Sequence, residues 1–236
     1  MTDAVALRQA DADDHPLAAG PLTELVPTCR DLAAMLAHVG RRTEAAEIYD
    51  RATCTADRLL TRFRNQPDAE REWLATAIAV TQFAAPADRP AAERSFQRLR
   101  EFEPVHGQSL NELAWYLVTN SDPCFVDPAR AVGLAGKAVA VAPDEGQYWN
   151  TLGVARYRAG DWAGAVAALE ESRRLLGTEF ESFNTFFLAL AHGRLGDRDA
   201  ARLWYDRAVV WMDRHRPKDD ELRRFRLEAE AMMGIR

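Results

Sequence analysis

The chain has 236 residues, 47% of them hydrophobic and 28% charged, which is enough for one or two domains or one elongated repeat array. Its net charge of −6 argues against a nucleic-acid or anionic-membrane surface as the main partner. Three dispersed cysteines, Cys29, Cys54 and Cys124, favour reduced thiols over a disulfide framework.

The first 20 residues are acidic and contain few large apolar side chains. They are also interrupted by His15-Pro16 and Gly20-Pro21. This composition predicts a flexible lead-in over residues 1–20. A basic start followed by an apolar run is lacking, so we expect no signal peptide. Apolar runs are also too short to span a membrane. Together with the cysteines, these features predict a cytoplasmic protein without a membrane partner.

From residue 21 to residue 216 the apolar residues recur at intervals of three and four. Ala, Leu, Arg and Glu dominate this region, whereas Val, Ile and Thr do not collect into alternating runs. Because strands need such runs and helices need the longer period, the sequence predicts an all-α protein. Short breaks between helix-length segments suggest that the helices form repeated hairpins.

The segment 146–177, which contains "QYWNTLGVARYRAGDW", is the clearest repeat. Gly153 and Ala165 are small, as residues must be where the two helices of a hairpin approach closely. Gly160 is suited to end the first helix because glycine tolerates a positive φ. Asp161 is suited to cap the second helix. These spacings predict a helix–turn–helix unit.

Similar patterns occur along the whole array and end in a different kind of segment. They predict five helical hairpins, at about 26–66, 69–104, 108–143, 146–177 and 182–213. The last segment, 217–236, begins with Pro217 and an acidic turn and has an end signal at Gly234. Since the last repeat of an array exposes an apolar end, we expect this segment to form a capping helix.

The spacing of Trp149, Leu152 and Gly153 resembles that of the tetratricopeptide repeat (TPR), a 34-residue helical hairpin with a W-x2-L-G motif. The resemblance implies a right-handed superhelix (α-solenoid) of about five hairpins with a C-terminal capping helix. Several segments also resemble the C-terminal TPR region of bacterial multidomain serine/threonine kinases and its stand-alone relatives. They are "NELAWYLVT", "AVGLAGKAVAVAPDEGQYWNTLGVARYRAGDW", "FFLALAHGRLGDRDAARLWYDRAVVWMD" and "DELRRFRLEAEAMMGI". The kinase motifs are not in the sequence, so the resemblance implies an interaction module without catalysis.

Motifs for chemistry are not evident in the sequence. "GLAGKAV" at 133–139 lacks the first glycine and the hydroxyl residue of a phosphate-binding loop. We interpret its two glycines, Gly133 and Gly136, as a tight helix–helix contact instead. The five histidines are dispersed and none belongs to a metal-binding motif. We therefore expect no enzyme activity, no metal and no cofactor.

In the family that the sequence resembles, the first helix of each hairpin lines a concave groove. Transferring the groove positions gives a predicted partner-binding set: Asn111, Trp115, Gln147, Asn150, Val154, Tyr157, Arg158, Phe183, Phe186 and Arg194. Asparagines can bond a peptide backbone, aromatic rings can hold side chains, and the arginines can bind a carboxylate. The alternative for any of these residues is a contact with the capping helix or with a neighbouring repeat.

These observations predict a non-catalytic scaffold that binds a peptide or helix of a partner protein in the concave groove. One alternative is a regulatory module that acts in trans on a kinase-like signalling enzyme. Another is a self-assembling module that uses exposed aromatic residues such as Trp204 and Trp211. The sequence does not name the partner.

Overall fold

The computed structural model describes residues 2–15, 18–177 and 181–235. Over these ranges the chain forms twelve α-helices and one short 3-10 helix, with no strand. The predicted all-α class is therefore confirmed. The helices are α1 (Thr2–Asp14), α2 (Ala19–His38), α3 (Arg42–Phe63), α4 (Pro67–Ala84), α5 (Arg89–Glu101), α6 (Gly107–Thr119), the 3-10 helix (Pro123–Phe125), α7 (Pro128–Val141), α8 (Gly146–Arg158), α9 (Trp162–Leu176), α10 (Glu181–Arg194), α11 (Arg198–His215) and α12 (Asp220–Met233).

The chain divides into an N-terminal unit, Met1–Ser109, and a C-terminal unit, Leu110–Arg236. In the N-terminal unit α2 pairs with α3 and α4 pairs with α5.

Helix α1 packs against α2 and buries Val5 and Ala12. This helix corrects the flexible lead-in predicted for residues 1–20, of which 1, 16 and 17 lie outside the described part. Helix α1 needs few apolar residues to stay in place, because Val5 and Ala12 are buried against the rest of the N-terminal unit.

Polar contacts fasten the helices of the N-terminal unit to one another. The carboxylate of Asp57 on α3 accepts a hydrogen bond of 2.7 Å from the indole Nε1 of Trp73 on α4, and it also binds the guanidinium of Arg98 on α5. Arg30 on α2 forms an ion pair of 3.1 Å with Glu72 on α4. These pairs join different helices, so they fix the register of the packing.

In the C-terminal unit the helix boundaries follow a repeated local signal. An aspartate before the helix accepts a hydrogen bond from a backbone N–H of the first turn, which satisfies a group that the helix itself cannot. The four caps are Asp127, Asp161, Asp197 and Asp219, before α7, α9, α11 and α12 respectively. After α8 the chain turns at Gly160, whose φ of +88° explains the glycine.

Three glycines were predicted to mark close helix approaches in this unit, and the prediction is confirmed for one of them, Gly153. A Cβ on Gly153 of α8 would lie 2.5 Å from Cγ of Leu169 on α9, so only glycine fits there. Gly133 and Gly136 of α7, in contrast, have open space at the position of a Cβ. The predicted tight contact through those two glycines is therefore wrong, because both face away from the neighbouring helices.

Candidate functional site: the inner face of the C-terminal unit

Helices α6, α8 and α10 of the C-terminal unit present one surface to α12, and we call this surface the inner face. The ring of Phe225 on α12 is only 2% exposed. Its centroid lies 6.3 Å from that of Trp115 on α6, and 6.4 Å and 4.8 Å from those of Phe183 and Phe187 on α10. All three contacts are edge-to-face, which is a favourable arrangement of aromatic rings. Phe225 therefore anchors α12 on two of the three helices.

Arg158 connects α12 to the third helix, α8. Its guanidinium forms a two-pronged ion pair with the carboxylate of Glu228 on α12. Its Nε also donates to the carbonyl of Val118 at 3.3 Å, and the guanidinium carbon lies 5.2 Å from the ring centroid of Phe187. With side-chain exposures of 24% and 32%, the arginine and the glutamate are shielded from much of the solvent. The predicted carboxylate-binding arginine thus already holds a carboxylate of its own chain.

Part of the inner face is left uncovered beside the start of α12. A cavity of about 250 Å³ is present there. Its walls are Asn111, Trp115, Gln147, Asn150, Thr151, Leu176, Phe183, Arg216 and Glu221. They combine two aromatic rings, three amides, one cation and one carboxyl group. Apolar wall beside polar groups is typical of a binding site, because the polar groups fix the orientation of what binds there.

Two amide groups at this part of the inner face have unused hydrogen-bonding capacity. The Nδ2 of Asn150 donates to the Oδ1 of Asn184 at 3.0 Å. The Nδ2 of Asn184 and the Oδ1 of Asn111 are buried, and among the described residues they have no hydrogen-bond partner. Since an unpaired buried polar atom costs free energy, these two atoms lower the stability of this part of the inner face.

The carboxyl group of Glu221 has an unusual environment at the cavity wall. Burial raises its pKa above the ordinary value, and the neighbouring Arg224 partly opposes this rise. Arg224 also donates from Nη1 to the carbonyl of Thr119 on α6 at 3.1 Å. The first turn of α12 is thereby attached to the end of α6.

The structure gives the ten predicted site residues four different environments. Five of them line the cavity: Asn111, Trp115, Gln147, Asn150 and Phe183. Arg158 is engaged by Glu228, and Arg194 is exposed away from the cavity walls. Val154, Tyr157 and Phe186 are buried in the packing of the unit, so the prediction that they face a partner is corrected.

Contacts between aromatic rings explain the burial of two of these three residues. The ring of Tyr157 meets that of Phe187 at 5.6 Å, and the ring of Phe186 meets that of Tyr205 at 6.3 Å. Sequence reasoning also missed four cavity residues, Thr151, Leu176, Arg216 and Glu221. The acidic turn at 219–221 was visible as a helix start, but no signal in the sequence placed it beside α6.

Sites of other kinds are not found in the described ranges. No group of three or more His, Cys, Asp or Glu side chains there could hold a metal ion. None of the described helices is both long and apolar enough to cross a membrane.

Comparisons with known proteins identify the fold but no family. No protein-family model matches the sequence, and no curated protein matches it. Among solved structures, YrrB, a TPR protein with an unusual peptide-binding site, is similar with a TM-score of 0.54 at 15% identity, over 95% of this chain and 97% of that one. The fold is that of a TPR protein. TTC0263, a thermophilic TPR protein of Thermus thermophilus, gives a TM-score of 0.49 at 19% identity, over 87% of this chain and 99% of that one.

The TPR fold agrees with the hairpins that each unit contains. In the C-terminal unit α8 pairs with α9 and α10 pairs with α11, and α12 follows the last pair. Helices α8 and α10 are thus the first helices of consecutive TPR-like hairpins. They are the helices that carry most of the predicted site residues.

Proposed function

We propose that the chain is a non-catalytic protein-interaction module that binds a peptide or helix of a partner on the inner face of its C-terminal unit. The observation that carries this proposal is the cavity of about 250 Å³ beside α12, which five residues of the predicted set line. Its volume is close to that needed by one large side chain, so we expect it to hold an anchor residue of the partner.

The walls of the cavity indicate how a bound segment would be held. Trp115 and Phe183, whose ring centroids are 6.1 Å apart, offer apolar surface for a side chain. Gln147 is exposed at the rim of the same cavity, and its amide can both donate a hydrogen bond to the backbone of the bound segment and accept one from it.

Selection of peptides from a random displayed library on the full chain tests this proposal. A tryptophan at Gln147 would fill the cavity from its exposed rim without disturbing the core, so we expect Gln147→Trp to weaken the selected peptides by about tenfold or more. The matched control is Gln97→Trp, at an exposed position of α5. Peptides that bind both variants as tightly as the unchanged chain would refute the proposed site.

The alternative function is regulation of a kinase-like signalling enzyme in trans. It rests on the sequence resemblance to the C-terminal region of bacterial kinases, and in it the same cavity would receive a segment of the enzyme. Addition of the chain to a kinase recovered as its partner would then change the rate of phosphorylation, and Gln147→Trp would remove that change. An unchanged rate would exclude the regulatory role and leave the scaffold role intact.

Self-assembly is the second alternative, and the outer surface of α11 favours it. Leu203 and Val210 of this helix are exposed, and they line the same shallow cavity as Trp211. Trp204 and Trp211 themselves are half-buried, so the expectation that they are exposed is corrected. The guanidinium carbons of Arg173 and Arg207 lie 4.4 Å and 4.9 Å from the ring centroid of Trp204. Light scattering tests this alternative: a concentration-dependent dimer that Val210→Ser abolishes would support it.

A further inference from the structure

We infer that the inner face is a helix-binding groove that α12 occupies within its own chain, and that the partner is an amphipathic helix with an aromatic residue followed three residues later by a carboxylate. This inference rests on the proposed function and specifies its partner. Phe225 and Glu228 of α12 provide the pattern. The partner helix would exchange with α12 on the same surface.

The extent of the α12 contacts goes beyond what the end of a repeat array requires. A terminal cap needs only to cover the last hairpin, α10 and α11. Helix α12 does contact that hairpin, since the hydroxyl of Tyr205 donates to Glu230 at 2.6 Å. It also reaches α8 through Arg158 and α6 through Trp115 and Thr119. Helix α12 therefore contacts three helices, α6, α8 and α10, as a bound ligand would.

The burial of α12 is slight compared with that of the helices beneath it. Of its 14 described residues, three are buried: Leu222, Phe225 and Ala229. Helix α8, with 13 residues, buries eight. Since segments with few buried contacts open at lower free energy than the core, α12 can leave the inner face while α8 and its neighbours stay folded.

The contacts of α12 define what a competing helix must present. An aromatic ring is needed for the space between Trp115, Phe183 and Phe187, and residues three apart lie on the same side of a helix. A carboxylate three residues later reaches Arg158, whose fork can bind both of its oxygens. The carbonyl of Val118 accepts a hydrogen bond from Nε of Arg158, which helps to fix the position of the guanidinium.

The short connection between α11 and α12 determines how strongly α12 competes. Helix α11 ends at His215 and α12 begins at Asp220. A tether of this length gives α12 a high effective concentration at the groove. The apparent affinity for a separate helix is therefore reduced by the fraction of time that the groove is occupied. Weakening the contacts of α12 should make the groove available.

The test uses the full chain and, as the probe, a fluorescent peptide with the sequence of residues 217–235. We expect weak binding to the unchanged chain. Glu228→Arg in the chain places two cations together and releases α12, so the probe should bind at least about tenfold more tightly. Phe225→Ala in the chain is a second variant with the same expected result. The charge-matched control is Asp50→Arg, at an exposed position of α3 in the N-terminal unit, and it should leave the affinity unchanged.

Changes in the probe test the recognition pattern itself. A probe that carries Glu228→Arg should no longer bind the Glu228→Arg chain, because the new arginine of the probe meets Arg158. The same probe should bind a chain that carries Arg158→Glu, because the two charges are then opposite. Binding that is equal for all chain variants, or not detectable on any of them, would overturn the inference. A stable dimer of the unchanged chain that Glu228→Arg abolishes would overturn it in favour of a second copy as the occupant.

The inference and the proposed function can fail separately. Library peptides that Gln147→Trp blocks, combined with a probe that never binds, would leave the cavity as the binding site and remove the helix groove. If Gln147→Trp also has no effect on the library peptides, both proposals are wrong.

Discussion

The inner face of the C-terminal unit has a covered part and an open part, and both lie on the same helices. Arg158 lies in the covered part under Glu228, whereas Gln147, near the other end of α8, lies in the open part beside the cavity. Both are polar and both were predicted to bind a partner. The comparison shows that the availability of a groove residue depends on what already covers it, and residue type alone does not reveal this.

The largest expected effect comes from removing the aromatic anchor of the covered part. Phe225→Ala should lower the free energy of unfolding by about 3 kcal/mol, because a buried ring is lost and a gap remains among three other rings. Leu227→Ala on the same helix is the control, since Leu227 is 64% exposed and its loss should cost less than about 0.5 kcal/mol. Urea denaturation measures both. Equal effects would mean that Phe225 does not anchor α12.

Asn150 lines the cavity of the open part and is itself buried, so its side chain should also contribute to the stability of the fold. Asn150→Ala should lower the free energy of unfolding by about 2 kcal/mol, since the buried amide of Asn184 loses its bond. Gln147→Ala, at the exposed rim of the same cavity, should change it by less than about 0.5 kcal/mol. An Asn150→Ala variant as stable as the unchanged chain would show that the two asparagines do not interact in solution.

The ion pair of the covered part should give a smaller, measurable coupling. A double-mutant cycle of Arg158→Ala and Glu228→Ala should yield about 1 kcal/mol, because the pair is partly shielded and two-pronged. The exposed pair Arg202 and Asp206 on α11 is the control, and its coupling should be much smaller because solvent screens both charges. Couplings of the same size would contradict the view that α12 shields Arg158.

Two glutamates of α12 should respond to pH in opposite directions. Burial raises the pKa of Glu221, so the folded state holds this proton more tightly than the unfolded state. Its contribution to stability therefore falls as pH rises from the ordinary carboxyl range towards the raised value. Hydrogen bonds from Tyr205 and Arg226 lower the pKa of Glu230, whose contribution is present above the unfolded value and is lost as pH falls.

Melting temperatures of two variants measure this difference. Glu221→Gln should raise the melting temperature at about pH 7 and have little effect at about pH 4, where a free carboxyl is largely protonated. Glu230→Gln should lower it at about pH 7, again with a smaller effect in acid. The same sign for both variants at neutral pH would show that one of the two environments is described wrongly.

The fold class was predictable because local residues determine it. The close approach at Gly153, the turn at Gly160 and the cap at Asp161 are all visible within one short segment. The predicted helix start before α12 was equally local. The same local reasoning failed for α1, whose few apolar residues gave no sign of the core that they reach.

Which residues of the candidate site are covered and which are open was less predictable, because this depends on contacts between residues that are far apart in the chain. Periodicity shows that α12 has an apolar side, but not that Glu228 of this helix binds Arg158, 70 residues away in the chain. Likewise the groove positions of the repeat do not reveal that Tyr157 and Phe186 turn into the packing between helices. Only the arrangement of α6, α8, α10 and α12 together separates the covered from the open residues.

Hydrogen exchange of the backbone amides of α12 and α8 in the unchanged chain tests the central claim most directly. If α12 is a displaceable occupant of the inner face, its amides will exchange through a local opening, at least about tenfold faster than those of α8. Glu228→Arg will then accelerate the exchange of α12 and leave that of α8 unchanged. If the amides of α12 and α8 exchange at the same rate in both proteins, α12 opens only when the unit unfolds, and the claim is contradicted.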